Sequence, residues 1–152
     1  MLDRLPTEEL AELMTGKETL LDQLRRLARH QGDLIAAGDH ARLMSVLAAK
    51  DTLLRRLLDL EQRLDPYRAE DPDKRVWRSD EARRQCRRVA ERCDSLLSEL
   101  MLLEKQGETE LGLRCDEAAR RLDGMRLATD ARRAYREHSE PAARAARCEW
   151  ES

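Results

Sequence analysis

Phenylalanine is absent from the 152 residues, and aromatic side chains make up only 3% of them. A thick globular interior filled by large rings is therefore hard to build. A thin seam of leucines between long helices needs no rings. No uninterrupted apolar run approaches the roughly 18 residues that a membrane span requires, so no membrane insertion is expected. The opening "MLDRLPTEEL" has acids where a secretory signal has a basic start and an apolar core. Its four cysteines, Cys86, Cys93, Cys115 and Cys148, form no CxxC pair. Cys86 and Cys93 lie two helical turns apart, about 10 Å along an axis and too far for one disulfide. They read as small, reduced core residues of a cytoplasmic protein. No suitably placed His or carboxylate partners stand at i+3 or i+4 to complete a metal site, so no metal is expected.

Ala, Glu, Lys, Leu and Arg occupy 91 of the 152 positions, a bias that signals long helices or coiled coils. With 39% charged residues and a net charge of −2, the charges read as solvated helix faces of mixed sign. Neither a nucleic-acid nor a membrane partner follows from that balance.

The segment "GKETLLDQLRRL" at 16–27 is echoed by "AKDTLLRRLLDL" at 49–60. Around the first copy, positions 10, 13, 17, 20, 24, 27, 31 and 34 alternate steps of three and four, the seam of packed helices. The spacing predicts a first helix over about 8–35, with Thr7 as N-cap after Pro6. A second capping box at Thr15–Glu18 competes, but the phase runs unbroken across Gly16, which favours one helix. Gly38 suits the left-handed residue after that helix, and Asp39 suits the cap of the next. The second helix is expected over about 40–64, with its seam at 43, 46, 50, 53, 57, 60 and 64 and with Leu47, Leu54 and Leu58 widening the stripe. So short a connection makes the two helices antiparallel neighbours, and the echoed phrases two arms of one hairpin. Lys17 and Lys50 interrupt the stripes at matching places. The preferred reading lays their stems along the seam with the ammonium groups in water; a register-setting or partner-facing role is the sharper one.

Pro66 and Pro72 break the pattern over 65–79. Asp71-Pro72 reads as a cap and first-turn proline of a short helix carrying Trp77, which would cover one end of the bundle. The third helix is expected over about 80–127. Its seam uses Cys86, Val89, Cys93, Leu96, Leu100 and Leu103 and reaches Gly107, after which the phase shifts as in a stutter. Such a helix spans about 69 Å against about 40 Å for either hairpin arm. If it packs from the open end, the hairpin runs out near residue 107, leaving Leu111, Leu113, Leu122, Met125 and Leu127 in need of cover. A second copy of the chain, the tail or a partner could supply it. The tail, 128–152, reads as a marginal helix or a disordered segment, with Tyr135 and Trp150 as its large anchors. The expectation is an all-α fold: an antiparallel hairpin plus a longer third helix, an elongated three-helix bundle or coiled coil over 1–127.

Charge is polarised along the third helix. Residues 74–92 hold eight Lys/Arg and three acids, whereas 93–123 hold four and eight. The stretch "RRQCRR" lacks the interleaved aromatics of a nucleic-acid surface, so solvated intrahelical ion pairs are expected. His30, His40 and His138 have no nucleophile or carboxylate pair at an interpretable spacing. There is no Glu-x-x-His pair of a di-iron bundle and no phosphate loop. No catalytic site and no cofactor are expected.

The order of these pieces resembles the FlgN-type flagellar export chaperones. The likeness is carried by Gly38-Asp39 opening the second helix and by Lys50-Asp51-Thr52-Leu53-Leu54 within it. It continues with Gln106-Gly107 (the family often has Asn-Gly), with Leu111, Leu113 and Leu122, and with the alanine-rich segment from Ala131 to Tyr135, over roughly residues 8–136 in all. What the resemblance implies is a cytosolic chaperone that binds the terminal helices of hook-associated proteins and delivers them to the flagellar type III export apparatus. Cargo would bind the C-terminal part, through Leu111, Leu113, Leu122, Met125, Leu127 and Tyr135. Met101 and Met125, unbranched and adaptable, would tolerate more than one cargo. The competing expectation is a homodimeric structural coiled coil whose far stripe pairs with a second copy.

Overall fold

The computed structural model describes the backbone of residues 6–151 and the side chains of residues 6–139. The chain is all-α: α1 (Thr7–Ala37), α2 (His40–Arg68) and α3 (Asp80–Glu151), with a 3-10 turn at Pro72–Lys74. Among the described residues there is no strand. Packing divides the chain after Glu110 into two compact units. In the first, α1, α2 and residues 80–110 of α3 surround one leucine-rich seam; the second begins at Leu111 and lies within α3.

The α1–α2 turn is fixed locally. Gly38 takes φ 71°, its N–H donates to the Ile35 carbonyl at 3.2 Å, and the Asp39 N–H donates to Leu34 at 3.1 Å, a Schellman closure. The Asp39 carboxylate then accepts from the Arg42 N–H at 3.2 Å, capping α2. At the other end of α1 the expected N-cap is displaced by one residue. Pro6 holds the cap position with extended backbone. Thr7 is the first helical residue, and its hydroxyl donates across the fold to the Val76 carbonyl at 3.0 Å. That long-range bond ties the start of α1 to the 65–79 connection.

α1 is continuous through Gly16 for a packing reason: a Cβ there would lie 3.1 Å from Leu60 Cδ1, so glycine permits the close approach of α2. The echoed phrases lie side by side and antiparallel. Lys17 therefore meets Glu61 at 2.9 Å, while Lys50 sits at the other end of the paired stretch, by Gln31.

Four expectations need correction. The buried positions of α1 are Leu10, Leu13, Leu21, Leu24, Ala28, Gln31, Leu34 and Ile35; Lys17, Leu20 and Leu27 are only half-buried. A single seam anticipates one neighbour, but α1 has two. Leu21, Leu24 and Ala28 join Val89, Cys93, Leu96 and Leu100 of α3, while Leu27 turns toward Leu43 and Val46 of α2. Leu47, Leu54 and Leu58 do not widen the buried stripe of α2; they are exposed, as is Met44. α2 also runs past Leu64 and through Pro66 to Arg68. Its last turn is held by Tyr67, packed with Leu10, Leu13, Leu64 and Cys86, whose hydroxyl hydrogen-bonds Glu9 at 3.0 Å. Finally, α3 does not end at Leu127 but continues to Glu151. "ATDARRA" at 128–134 contains no glycine or proline and is rich in helix-forming Ala and Arg, so nothing local stops the helix.

The Asp71 carboxylate caps the 3-10 turn by accepting from the Asp73 N–H at 3.0 Å, as its pairing with Pro72 suggests. Trp77 lies beyond that turn rather than on it, and packs onto the end cluster of Leu10, Leu13, Leu64, Tyr67 and Cys86.

Candidate partner-binding surface

In the first unit the third-helix seam is buried as its spacing predicts. Cys86, Val89, Cys93, Leu96 and Leu100 are buried, and Leu103 and Gly107 are half-buried. Interhelical polar contacts fix its register. Arg25 and Arg29 of α1 both reach Glu99, Arg25 at 3.4 Å. Burial opposes ionisation of Glu99, but hydrogen bonds from Arg29 and Arg25 outweigh it and hold the carboxyl below its usual range. Arg92 pairs with Glu18 at 3.4 Å.

Lys50 is buried, contrary to the reading that sets its ammonium group in water. Its side chain is 8% accessible, and its ammonium donates to Gln31 Oε1 at 2.6 Å and ion-pairs with Glu104, joining all three helices. A buried cation bonded on two sides resists a change of register, because sliding any helix leaves it unpaired. Lys17 is half-buried and pairs with Glu61 of α2 alone.

The second unit differs throughout. Every described side chain from Leu111 to Ser139 is exposed. Leu111 is 41% accessible, Leu122 56% and Met125 65%. At about 100° per residue, Leu111, Cys115, Ala118, Leu122, Met125 and Thr129 fall within about 40° of one line along α3. Their alternating steps of four and three make a seam with no neighbour among the described residues. The six expected contact residues therefore divide. Leu111, Leu122 and Met125 share this face, whereas Leu113 and Leu127 fall on the opposite side with Ala131 and Ala134. Tyr135 lies about 120° round from the seam line. Helical spacing alone carried that division.

Cysteine behaviour follows the same split. Burial pushes the Cys86 thiol up and the Cys93 thiol up to about 11, while Cys115 is exposed on the seam rather than in a core. The Cys148 and Trp150 side chains lie outside the described residues.

The first unit offers other features. A pocket of about 340 Å³ at its end is lined by residues that include Leu10, Trp77, Cys86, Arg83 and Arg87. The neighbouring arginines are engaged: Arg75 with Glu70 at 3.3 Å and with the Tyr67 carbonyl, and Arg88 with Glu81 at 3.1 Å. Within "RRQCRR" the expected intrahelical pairing is met in part: Arg84 and Arg88 both reach Glu81, Arg84 at 3.7 Å. No group of three or more His, Cys, Asp or Glu able to hold a metal occurs among the described residues. No helix among them is long and apolar enough to cross a membrane.

The fold thus defines an all-α protein with a packed three-helix unit and a separate, unpartnered seam on its third helix. Compared with protein-family models, curated proteins and solved structures, the chain matches none.

Proposed function

We propose that the chain is a cytosolic chaperone of flagellar type III export, holding the terminal helices of hook-associated proteins against residues 111–129 of α3. The observation that carries this reading is the seam of Leu111, Cys115, Ala118, Leu122 and Met125, spaced for a helix partner and exposed throughout. Burying one leucine or methionine is worth roughly 1.5–3 kcal/mol. A docked amphipathic helix recovers that burial through anchors at i, i+3, i+4 and i+7. Cys115 and Ala118 leave a shallow notch into which a large cargo side chain fits, and Met125 adapts to more than one shape.

The test is a titration of the full chain with peptides spanning the terminal helices of hook-associated proteins from a flagellated host. Binding should be lost in a Leu111→Asp/Leu122→Asp variant that keeps the wild-type helical signal. A chain that ignores these peptides and sediments as a stable dimer is instead the structural coiled coil.

A further inference from the structure

The residues beside the exposed seam carry information about what covers it. Written as a heptad, the seam places Leu111, Ala118 and Met125 at d, and Cys115, Leu122 and Thr129 at a. The columns that border a docked helix are then e and g. Over 111–135 the charged residues in those columns are Arg114, Arg121, Arg126 and Arg133. Every one is an arginine. The acids of the same stretch, Asp116, Glu117, Asp123 and Asp130, all fall in columns b and c, away from the seam edge. No ion pair involving Arg121, Arg126 or Arg133 forms among the described residues. The two edges of the seam are therefore positive although the chain as a whole is slightly acidic.

This arrangement discriminates between occupants. A second copy in parallel register sets Arg121 against Arg126 of its partner, and an antiparallel copy, which pairs g with g and e with e, offers no acid to either arginine edge. Ala118 against Ala118 and Cys115 against Cys115 would in addition leave the middle of a parallel dimer underfilled. Both effects disfavour self-pairing, and the first favours an occupant with the opposite sign.

We infer that the seam of residues 111–129 takes a helix of another protein whose own apolar stripe is bordered by Asp and Glu, and that the arginine edges keep a second copy of this chain out. The inference rests on the helix-binding reading above and adds the partner's chemistry to it. Arg121 and Arg126 supply the attraction at the centre of the seam. Arg133 extends one edge, and Arg132 and Arg136 close the stripe beyond Thr129.

The experiment uses the full chain and two synthetic helical peptides with one shared leucine seam, one carrying Glu and the other Lys in both bordering columns. At low salt the Glu peptide should bind about tenfold more tightly, because several exposed charge pairs change sign together. The ratio should shrink at high salt. An Arg121→Glu/Arg126→Glu variant, altered only at exposed positions, should keep its circular dichroism and reverse the preference. Equal affinity for the two peptides overturns the charge inference and leaves helix docking standing. Binding of neither overturns both. Sedimentation supplies a further arm: a wild-type dimer that Leu122→Asp dissociates would show that a second copy occupies the seam, and would overturn the proposal.

Discussion

Residues 86–107 and 111–129 belong to one helix and are written with nearly the same spacing, yet the first stretch is buried and the second is bare. Spacing specifies that a helix presents a stripe; it does not specify that a neighbour is there. In the first stretch the neighbours are Leu21, Leu24 and Ala28 of α1, with Leu53 and Leu57 of α2 packed against them. In the second, no described residue takes that place. There the stripe stays open to solvent.

Paired substitutions should break or sharpen that comparison. The largest expected contrast sets Leu24 against Leu122. Leu24 is fully buried, so Leu24→Ala should cost about 2–5 kcal/mol in denaturant unfolding. Leu122→Ala should stay within about 0.5 kcal/mol in the chain alone. Two glycines come next. Gly16→Leu forces a side chain into the space Leu60 occupies and should cost about 1–3 kcal/mol. Gly124, with nothing within 4 Å of its would-be Cβ, should accept Leu and gain up to about 1 kcal/mol of local helix stability by circular dichroism.

Smaller effects separate the two lysines. Lys50→Ala removes the cation shared by Gln31 and Glu104. It should cost about 1–2 kcal/mol, less than a fully buried pair because Glu104 is partly open to solvent. Lys17→Ala, where the lysine itself is more open and pairs with Glu61 alone, should cost under about 1 kcal/mol by the same unfolding measurement. The tyrosines give the smallest contrast. Burial, then hydrogen bonding to Glu9, pushes the Tyr67 phenol up to about 12. The native state therefore holds that proton more tightly than the unfolded chain does. The stabilisation is complete below the unfolded value near 10 and is lost as pH rises toward 12. Tyr67→Phe should cost about 1 kcal/mol at neutral pH and flatten that alkaline decline. Tyr135→Phe, at an exposed side chain, should cost under about 0.5 kcal/mol in the same unfolding measurement.

Much of the fold was legible because the seams of α2 and α3 follow a strict alternation and because Gly38-Asp39 is a local signal. The seam of α1 was legible only in part. A helix with two neighbours buries a wider stripe than one alternation describes, so Leu21, Ala28 and Ile35 are inside while Leu20 and Leu27 are half out. Lys50 read as a solvated interruption because its partners Gln31 and Glu104 stand 19 and 54 positions away, with no local trace of the meeting. Pro66 read as a stop, yet the burial of Tyr67 carries the last turn past it. Of the candidate contact residues, Leu111, Leu122 and Met125 follow from spacing. Leu113 and Leu127 joined them through hydrophobicity alone, without regard to which side of the helix they occupy.

Hydrogen exchange on the full chain, alone and with the Glu-bordered helix, tests the central claim most directly. Alone, amides of residues 86–107 should exchange far more slowly than those of 111–129, since an unsupported helix in water opens readily. Adding the peptide should slow 111–129 by about tenfold or more, as the docked helix suppresses local opening, and leave 86–107 unchanged. Equal protection of the two stretches in the chain alone, or no slowing of 111–129 on addition, would contradict the account.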